Sequence, residues 1–251
     1  MTTLREEFHA ALSSCRDAVE DDLLPDVLCR SCLRVLPFDA AGLSLMGDSS
    51  SRVPLGASEP AAAAAERLQF TFGDGPCFRA MRLGEPVPVT EGTWTSQWPL
   101  MADRHFTQTA FHGGLSVPLR VFGSWIGVLD LYSRQSHEIG PSVVGDAESV
   151  AELVTTALLD SLGGPAGPLD EDEDYGVAAR PEAAWLWGAP TRGRGQVWIA
   201  TGMTNLALSL TSADALAVLR AHAFAEGSTV DALADDIVSG RLDVATLRSP
   251  V

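Results

Sequence analysis

Lysine is absent from this chain. All 17 basic residues among its 251 are arginine, and they stand against 33 aspartates and glutamates, which gives a formal net charge of −16. A phosphate-loop NTPase places a lysine on the nucleotide phosphates, and a pyridoxal enzyme forms its Schiff base on one. A phospho-acceptor receiver domain normally sets a lysine beside its acidic pocket. The sequence therefore argues against all three classes.

Cysteines and long apolar runs are also scarce. Four cysteines are too few for a disulfide framework, and Cys29 and Cys32 lack the second pair of ligands that a zinc site requires, so we predict no metal centre. No stretch approaches the roughly 18 apolar residues of a membrane span. The first residues lack the apolar segment of a secretory signal. We expect a cytoplasmic protein without a membrane partner.

The charge is distributed unevenly along the chain. Residues 1–162 hold 11 arginines and 21 acids, residues 163–191 one arginine and six acids, and residues 192–251 five arginines and six acids. Within the middle region, 163–176 combines glycines, prolines and five consecutive acids, which fits neither a helical stripe nor a strand pattern. We predict two domains, 1–162 and 192–251, joined by an acidic linker at 163–191.

The first region has the periodicity of an α+β domain. Apolar residues recur at helical spacing over 23–36 and 143–162. Between these helices, the sequence predicts strands at 41–46, 86–90, 115–122 and 124–133, with Gly123 as a tight corner between the last two. This order predicts an antiparallel sheet with flanking helices.

The last region predicts three short helices. The first should run from about Gln196 to Ser209. The second and third should begin at the N-caps Thr211 and Ser228, because each is followed three residues later by an aspartate that can satisfy free backbone donors. These helices carry enough apolar residues for a small all-α bundle.

The three helices resemble the ANTAR domain. The matching positions are Val197, Ala200, Gly202, Met203, Ala215, Leu219, Arg220, Ala223, Val230, Ala234, Ile237 and Val238. The small residues Ala200 and Gly202 permit close approach between helices. ANTAR domains bind paired RNA hairpins and prevent transcription termination, so the resemblance implies RNA hairpins as partners.

The first region resembles the GAF domains that precede ANTAR modules in actinobacterial proteins. The resemblance rests on FDAAGLSLM at 38–46, GDGPCFRA at 73–80, QWPLMA at 97–102, GGLSVPL at 113–119 and WIGVLDLYS at 125–133. It implies a central antiparallel sheet with a pocket on one face for a small ligand. The sequence identifies neither that ligand nor any cofactor.

The candidate ligand-binding residues are the aromatic and polar side chains in the stretch that a GAF fold would use to cover its pocket. These are Trp94, Trp98, Arg104, His105 and His112, together with Cys77 after the glycine-rich turn at 73–75. A thiol near a helix N-terminus favours its thiolate form. Simple core packing is the alternative for Cys77 and Trp98.

The candidate RNA-binding residues are the basic groups of the last region. They are Arg192, Arg194, Arg220, Arg241 and His222, since positive side chains neutralise phosphates, and the resemblance adds Ala200 and Gly202. For Arg220 the alternative is a helix-surface ion pair with Glu226 or Asp236.

Three functions remain open from the sequence. The first is a signal-responsive antitermination regulator, not an enzyme, whose GAF domain controls the exposure or the pairing of the ANTAR-like helices, and pairing would make it a homodimer. The second is a GAF-type reductase of methionine sulfoxide, which would need a second thiol within reach of Cys77. The third is a degenerate ANTAR-like module used only for dimerisation or protein contact.

The division into domains can be checked by limited proteolysis. Cleavage of the whole chain should fall within 163–180 and leave residues 1–162 folded, because the acidic segment has no apolar pattern with which to pack. Mass spectrometry of the fragments locates the cuts. A chain that resists cleavage in this segment would contradict the division.

Overall fold

The structure is a computed structural model, and the residues it describes are 2–18, 23–46, 52–162 and 188–248. Its strands are β1 (Ala40–Met46), β2 (Arg52–Ala57), β3 (Val87–Val89), β4 (Gly113–Val121) and β5 (Ser124–Ser133). Its helices are α1 (Leu4–Ala18), α2 (Leu24–Val35), α3 (Pro60–Phe72), α4 (Pro76–Leu83), α5 (Glu91–Gln97), α6 (Pro99–Thr109), α7 (Pro141–Ser161), α8 (Ala189–Leu208), α9 (Ser212–Ala225) and α10 (Val230–Val238), followed by a 3-10 helix at Val244–Arg248.

The five strands form one sheet in the order β2-β1-β5-β4-β3, and every pairing is antiparallel. The α+β prediction with an antiparallel sheet is thus confirmed. Strands β4 and β5 are joined by Phe122 and Gly123, which have φ of 48° and 82°. Positive φ at both loop residues suits the twist of a two-residue hairpin.

The sheet is covered by helices on both faces. Side chains at alternate strand positions, such as Leu43, Leu129 and Leu131, pack with α1, α2 and α7 in the largest hydrophobic cluster. The opposite positions, among them Val128 and Tyr132, face α3 and α4.

Strand β2 is a correction to the predicted strands. The sequence Arg52–Ala57 contains Pro54 and Gly56, which weaken a strand pattern. Because β2 lies at the edge of the sheet, a residue without an N–H donor is tolerated there. The edge position therefore explains why the strand exists and why its pattern is weak.

The last region forms a helical bundle, with corrections at two helix ends. Helix α8 begins at Ala189, inside the predicted linker, although Gly193 and Gly195 lower its helix propensity. Helix α10 is capped by Thr229, which accepts from the backbone N–H of Ala232, and not by Ser228. The cap at Thr211 is as predicted. Of the predicted linker, 163–187 lies outside the described residues.

The helical bundle packs directly on the GAF-like region. Phe70 of α3 is fully buried in the same hydrophobic cluster as Val197, Leu219 and Val230 of the helical bundle. Phe72 and Phe224 meet edge to face, with ring centroids 5.5 Å apart. The end of α3, which meets α9 and α10, and strand β2, which meets α8, therefore join the two regions.

Candidate functional site

A buried polar network lies on the α3 side of the sheet. We call it the Arg52 network, and its members are Ser44, Arg52, Glu66, Gln69, Ser116, Asp130 and Tyr132, all nearly inaccessible to solvent. It lies on the same side of the sheet as Cys77, one of the predicted ligand residues. Charged side chains are seldom buried unless they are paired, so the contacts within the network decide whether the fold is stable.

Arg52 is the centre of this network. Its Nη1 donates to the backbone carbonyl of Glu66 at 2.7 Å, and its Nε donates to Ser44 Oγ at 3.1 Å. Its Nη2 donates to Asp130 Oδ2 at 3.1 Å and also pairs with Glu66 Oε2. A single guanidinium thereby joins β1, β2, α3 and β5.

The other side of the network leads to α4. Tyr132 donates its hydroxyl to Glu66 Oε1 at 2.6 Å, and Gln69 donates to the Tyr132 hydroxyl at 3.1 Å. The amide oxygen of Gln69 accepts from the backbone N–H of Cys77 at 3.0 Å. Helix α3 thus supplies two side chains that connect the sheet to the beginning of α4.

The network holds two carboxyl groups for one guanidinium. Burial, and then the neighbouring Glu66, raise the pKa of Asp130 well above its usual range. The raised pKa favours the protonated form of Asp130, which would bring the network close to electrical balance.

The predicted ligand residues of α4 and α5 are packed into the core. Cys77 is fully buried, and burial raises the pKa of its thiol well above the usual range despite the nearby Arg52. Helix α4 therefore does not make Cys77 a thiolate. Trp94 and Trp98 are also buried and meet at 5.6 Å.

His105 is a buried histidine without a polar partner. Its ring stacks on Trp94, with centroids 4.2 Å apart, and neither ring nitrogen makes a hydrogen bond in the described chain. Burial, and to a smaller extent His112, lower the pKa of His105 to about 3. His105 is therefore neutral at physiological pH.

Arg104 and His112 are partly buried and make separate contacts. Arg104 donates to the carbonyl of Phe224 at 2.6 Å and lies 4.8 Å from its ring centroid, so it contacts the helical bundle. His112 Nδ1 lies 3.1 Å from Glu91 Oε2. Of the six predicted ligand residues, Trp94, Trp98 and His105 thus lie together, whereas Arg104 and His112 make contacts elsewhere.

Two of the predicted RNA-binding arginines contact Phe70. The guanidinium carbon of Arg194 lies 3.4 Å from the ring centroid, and that of Arg220 lies 4.9 Å away. The Nε of Arg220 also donates to the Phe70 carbonyl at 3.1 Å. Arg194 is 1% exposed and lies 3.5 Å from Asp231. Arg194 is therefore inaccessible at the surface in this arrangement, whereas Arg220 is partly buried.

The remaining RNA candidates are dispersed. Arg241 pairs with Asp235 and Asp236, whereas the side chain of Arg192 lies outside the described residues. His222 is partly buried. Ala200 is buried in the bundle, but a Cβ at Gly202 would meet no atom of the described residues within 4 Å, so among them the close helix approach predicted at Gly202 is absent.

The sequence did not predict the roles of Arg52 and Glu66 in the buried network. It also did not predict that Phe70 contacts Arg194 and Arg220. One signal was available, since Asp130 stands inside an otherwise apolar strand. A carboxyl in such a position normally has a buried partner. No sequence spacing identifies Arg52 or Glu66 as that partner.

Neither a metal-binding cluster nor a single membrane-spanning helix is found within the described ranges. No group of three or more histidine, cysteine, aspartate or glutamate side chains is placed there to hold a metal ion. No single helix among them is long and apolar enough to cross a membrane, and α8 with α9 passes that test only as a pair bent by 105°.

A sequence model of the GAF domain matches residues 20–159, which is more than half of the chain. The chain belongs to the GAF domain family. The match ends before the helical bundle, so the ANTAR resemblance stays a prediction. No curated protein matches the chain.

Solved structures similar to this GAF protein come from proteins of different activities. The GAF domain of a phosphoenolpyruvate-protein phosphotransferase from Coxiella burnetii is 16% identical, with a TM-score of 0.45, over 64% of this chain and 99% of that one. A free methionine-R-sulfoxide reductase from Neisseria meningitidis is 18% identical, with a TM-score of 0.41, over 62% of this chain and 90% of that one. Identities this low say nothing about activity.

The proton on Asp130 can be tested through the pH dependence of stability. Because the folded state keeps this proton and the unfolded state loses it near pH 4, stability should fall as the pH rises from 5 to 8, by at most about 1.4 kcal/mol per pH unit. Asp130→Asn should lack this decline in urea denaturation series, and the exposed Asp160→Asn should retain it. If the free energy of unfolding of the wild type and of Asp130→Asn changes with pH in the same way, Asp130 does not carry this proton.

His105 should make the fold sensitive to acid. The unfolded state protonates its histidine below pH 6.5 and the folded state does not, so stability is complete above pH 6.5 and is lost as the pH falls towards 3. His105→Phe keeps the ring stack on Trp94. Between pH 7 and pH 5, its free energy of unfolding should fall by about 2 kcal/mol less than that of the wild type. Denaturant unfolding measures this difference, with exposed His137→Phe as the control. If the free energy of unfolding of His105→Phe falls below pH 6.5 as steeply as that of the wild type, the prediction is wrong.

Proposed function

We propose that this GAF protein is a signal-responsive regulator in which the GAF domain controls the exposure of an ANTAR-like, RNA-binding helical output for transcription antitermination. The contact of Arg194 and Arg220 with Phe70 is the observation that carries this proposal. Both arginines are candidates for RNA phosphates, and both guanidinium groups contact Phe70 of the GAF domain. The arrangement therefore corresponds to a closed form of the regulator.

Helix α3 is the element that can transmit a signal. Glu66 and Gln69 enter the Arg52 network, whereas Phe70 and Thr71, the next residues, contact the helical bundle. The hydroxyl of Thr71 accepts from the backbone N–H of Val230 at 3.1 Å. A change in the network that moved α3 would move Phe70 with it, because a helix shifts as a rigid unit.

The closed form is not a fully satisfied interface. Arg194 Nε and Nη1, Arg220 Nη2 and Asp231 Oδ2 are buried without hydrogen-bond partners in the described part of the chain. Each unsatisfied buried group costs about 1–3 kcal/mol. Opening would return these groups to water or to phosphate oxygens, which reduces the free-energy difference between the closed and open forms.

The reductase alternative receives less support from the geometry. Cys77 is buried with a raised pKa, and it packs on the α4 side of the sheet. Cys29 and Cys32 belong to the hydrophobic cluster on the opposite side. A second thiol would have to pass through the sheet to reach Cys77.

A dimerisation module is the second candidate, because one face of α8 is apolar and exposed. Ile199, Met203 and Leu206 follow each other at helical spacing and are 51%, 39% and 82% exposed. Such a stripe can pack on a second copy of the helix. The exposed face is compatible with RNA output by a dimer and also with a bundle that only dimerises.

Titration of paired RNA hairpins tests the regulator. Phe70→Leu keeps an apolar side chain but removes the aromatic face beneath both guanidinium groups, so it should weaken their attachment to the GAF domain and raise RNA affinity about tenfold. Each released arginine should add about 0.7–0.9 to the magnitude of the salt slope. Arg220→Ala should weaken RNA binding in the Phe70→Leu background.

The controls use exposed residues of the same type. Phe122→Leu in the β4–β5 hairpin and Arg82→Ala on α4 should leave RNA affinity unchanged. If neither the wild type nor Phe70→Leu binds RNA hairpins, the RNA output is wrong and the dimerisation module is favoured. If the wild type and Phe70→Leu bind RNA hairpins with equal affinity, Phe70 does not control RNA binding.

A further inference from the structure

A cavity of about 560 Å³ lies between the GAF domain and the helical bundle. We call it the interdomain cavity. Its lining comes from α2, β2 and α3 on the GAF side and from α8 and α10 on the other side, and it includes Arg67, Gly193 and Asp231. This volume is in the range of small-molecule sites. It is separate from the six residues that the sequence singled out for ligand binding.

Two ionic groups of the interdomain cavity lack a hydrogen-bond partner in the described chain. The guanidinium of Arg67, on α3, donates to none of the described residues. On the opposite wall, Asp231 Oδ2 is buried and has no donor, while its Oδ1 lies 3.5 Å from Arg194. A buried carboxylate oxygen without a donor is costly and indicates a missing partner.

Other charges of the lining are already engaged. Glu66 is held by Arg52 and Tyr132, Glu59 accepts from Arg134 at 2.6 Å, and Asp26 accepts from the backbone N–H of Ala57 at 2.9 Å. Arg30, the other cation of the lining, also has an interaction partner within the chain. The charged groups left without a protein partner are therefore the half-exposed Arg67 on the GAF domain and one buried carboxylate oxygen of Asp231 on the helical bundle.

We propose that the interdomain cavity binds a small zwitterion whose anionic group pairs with Arg67 and whose ammonium group donates to Asp231. A guanidinium binds a carboxylate through paired N–H donors, and an ammonium group supplies the donor that Asp231 Oδ2 lacks. Pro54, Ala57, Pro60 and Ala63 provide apolar surface beside these charges for the uncharged part of the ligand.

The two ionic contacts lie on different domains, so the zwitterion binds only when the domains are together. Binding then stabilises the closed form by mass action. This consequence rests on the proposed function, because it takes the closed form as the regulated state. Binding itself does not depend on RNA output, and it can be measured without RNA.

Binding of the common free amino acids to the whole chain is the test. Thermal melts identify any that raise the melting temperature, and isothermal titration calorimetry then measures the dissociation constant. Arg67→Ala and Asp231→Asn should each weaken binding about ten- to hundredfold, the effect of removing one charge-assisted hydrogen bond. The exposed Arg82→Ala and Asp160→Asn should bind like the wild type.

Gly193→Leu tests the location without changing a charge. A Cβ at Gly193 meets no atom within 4 Å, so a larger side chain should reduce the free volume of the cavity and weaken binding while the helix stays folded by circular dichroism. If no free amino acid binds, or if binding is unchanged in Arg67→Ala, Asp231→Asn and Gly193→Leu, the proposal is wrong. RNA titration is not needed for either result, so this failure is distinguishable from failure of the proposed function.

Discussion

The buried guanidinium of Arg52 is the interaction on which the rest of the structure depends. It neutralises Glu66 and bonds Asp130 at 3.1 Å inside the core. Without it, two carboxyl groups would lie together in a medium where an uncompensated charge is strongly destabilising. Because Glu66 belongs to α3, the same ion pair also sets the position of the helix end that carries Phe70. The contact of Phe70 with the helical bundle therefore depends on the ion pair between Arg52 and Glu66 in the core.

Much of the fold was predictable from sequence periodicity. Strand β5 was predicted at its observed bounds, Ser124–Ser133, because apolar residues bounded by turn signals are characteristic of strands. Strand β2 was not predictable in this way, because Pro54 and Gly56 obscure the pattern at a sheet edge that only the tertiary structure defines. Helix α8 begins at Ala189 and not near Gln196 as predicted, since the low helix propensity of Gly193 and Gly195 is overridden in the folded chain.

Much less of the candidate site could be predicted. The sequence points to aromatic and polar residues near the expected pocket, but polarity does not reveal that His105 is buried or that Arg104 reaches Phe224. Contacts such as Arg220 with Phe70 join residues 150 positions apart. No local pattern encodes such a pair. The identity of the basic groups was visible in the sequence, whereas their partners depend on how the two domains pack.

The exclusive use of arginine has a physical connection with the packing of the domains. A planar, weakly hydrated guanidinium can lie on an aromatic ring in a buried site, and a compact, strongly hydrated ammonium is less suited to this. Arg194 occupies such a position on Phe70. The same planar group matches the geometry of a phosphate. In the proposed regulator, domain contact and phosphate binding would therefore compete for the same two side chains, so a shift of α3 that removed Phe70 would supply cations without any new residue.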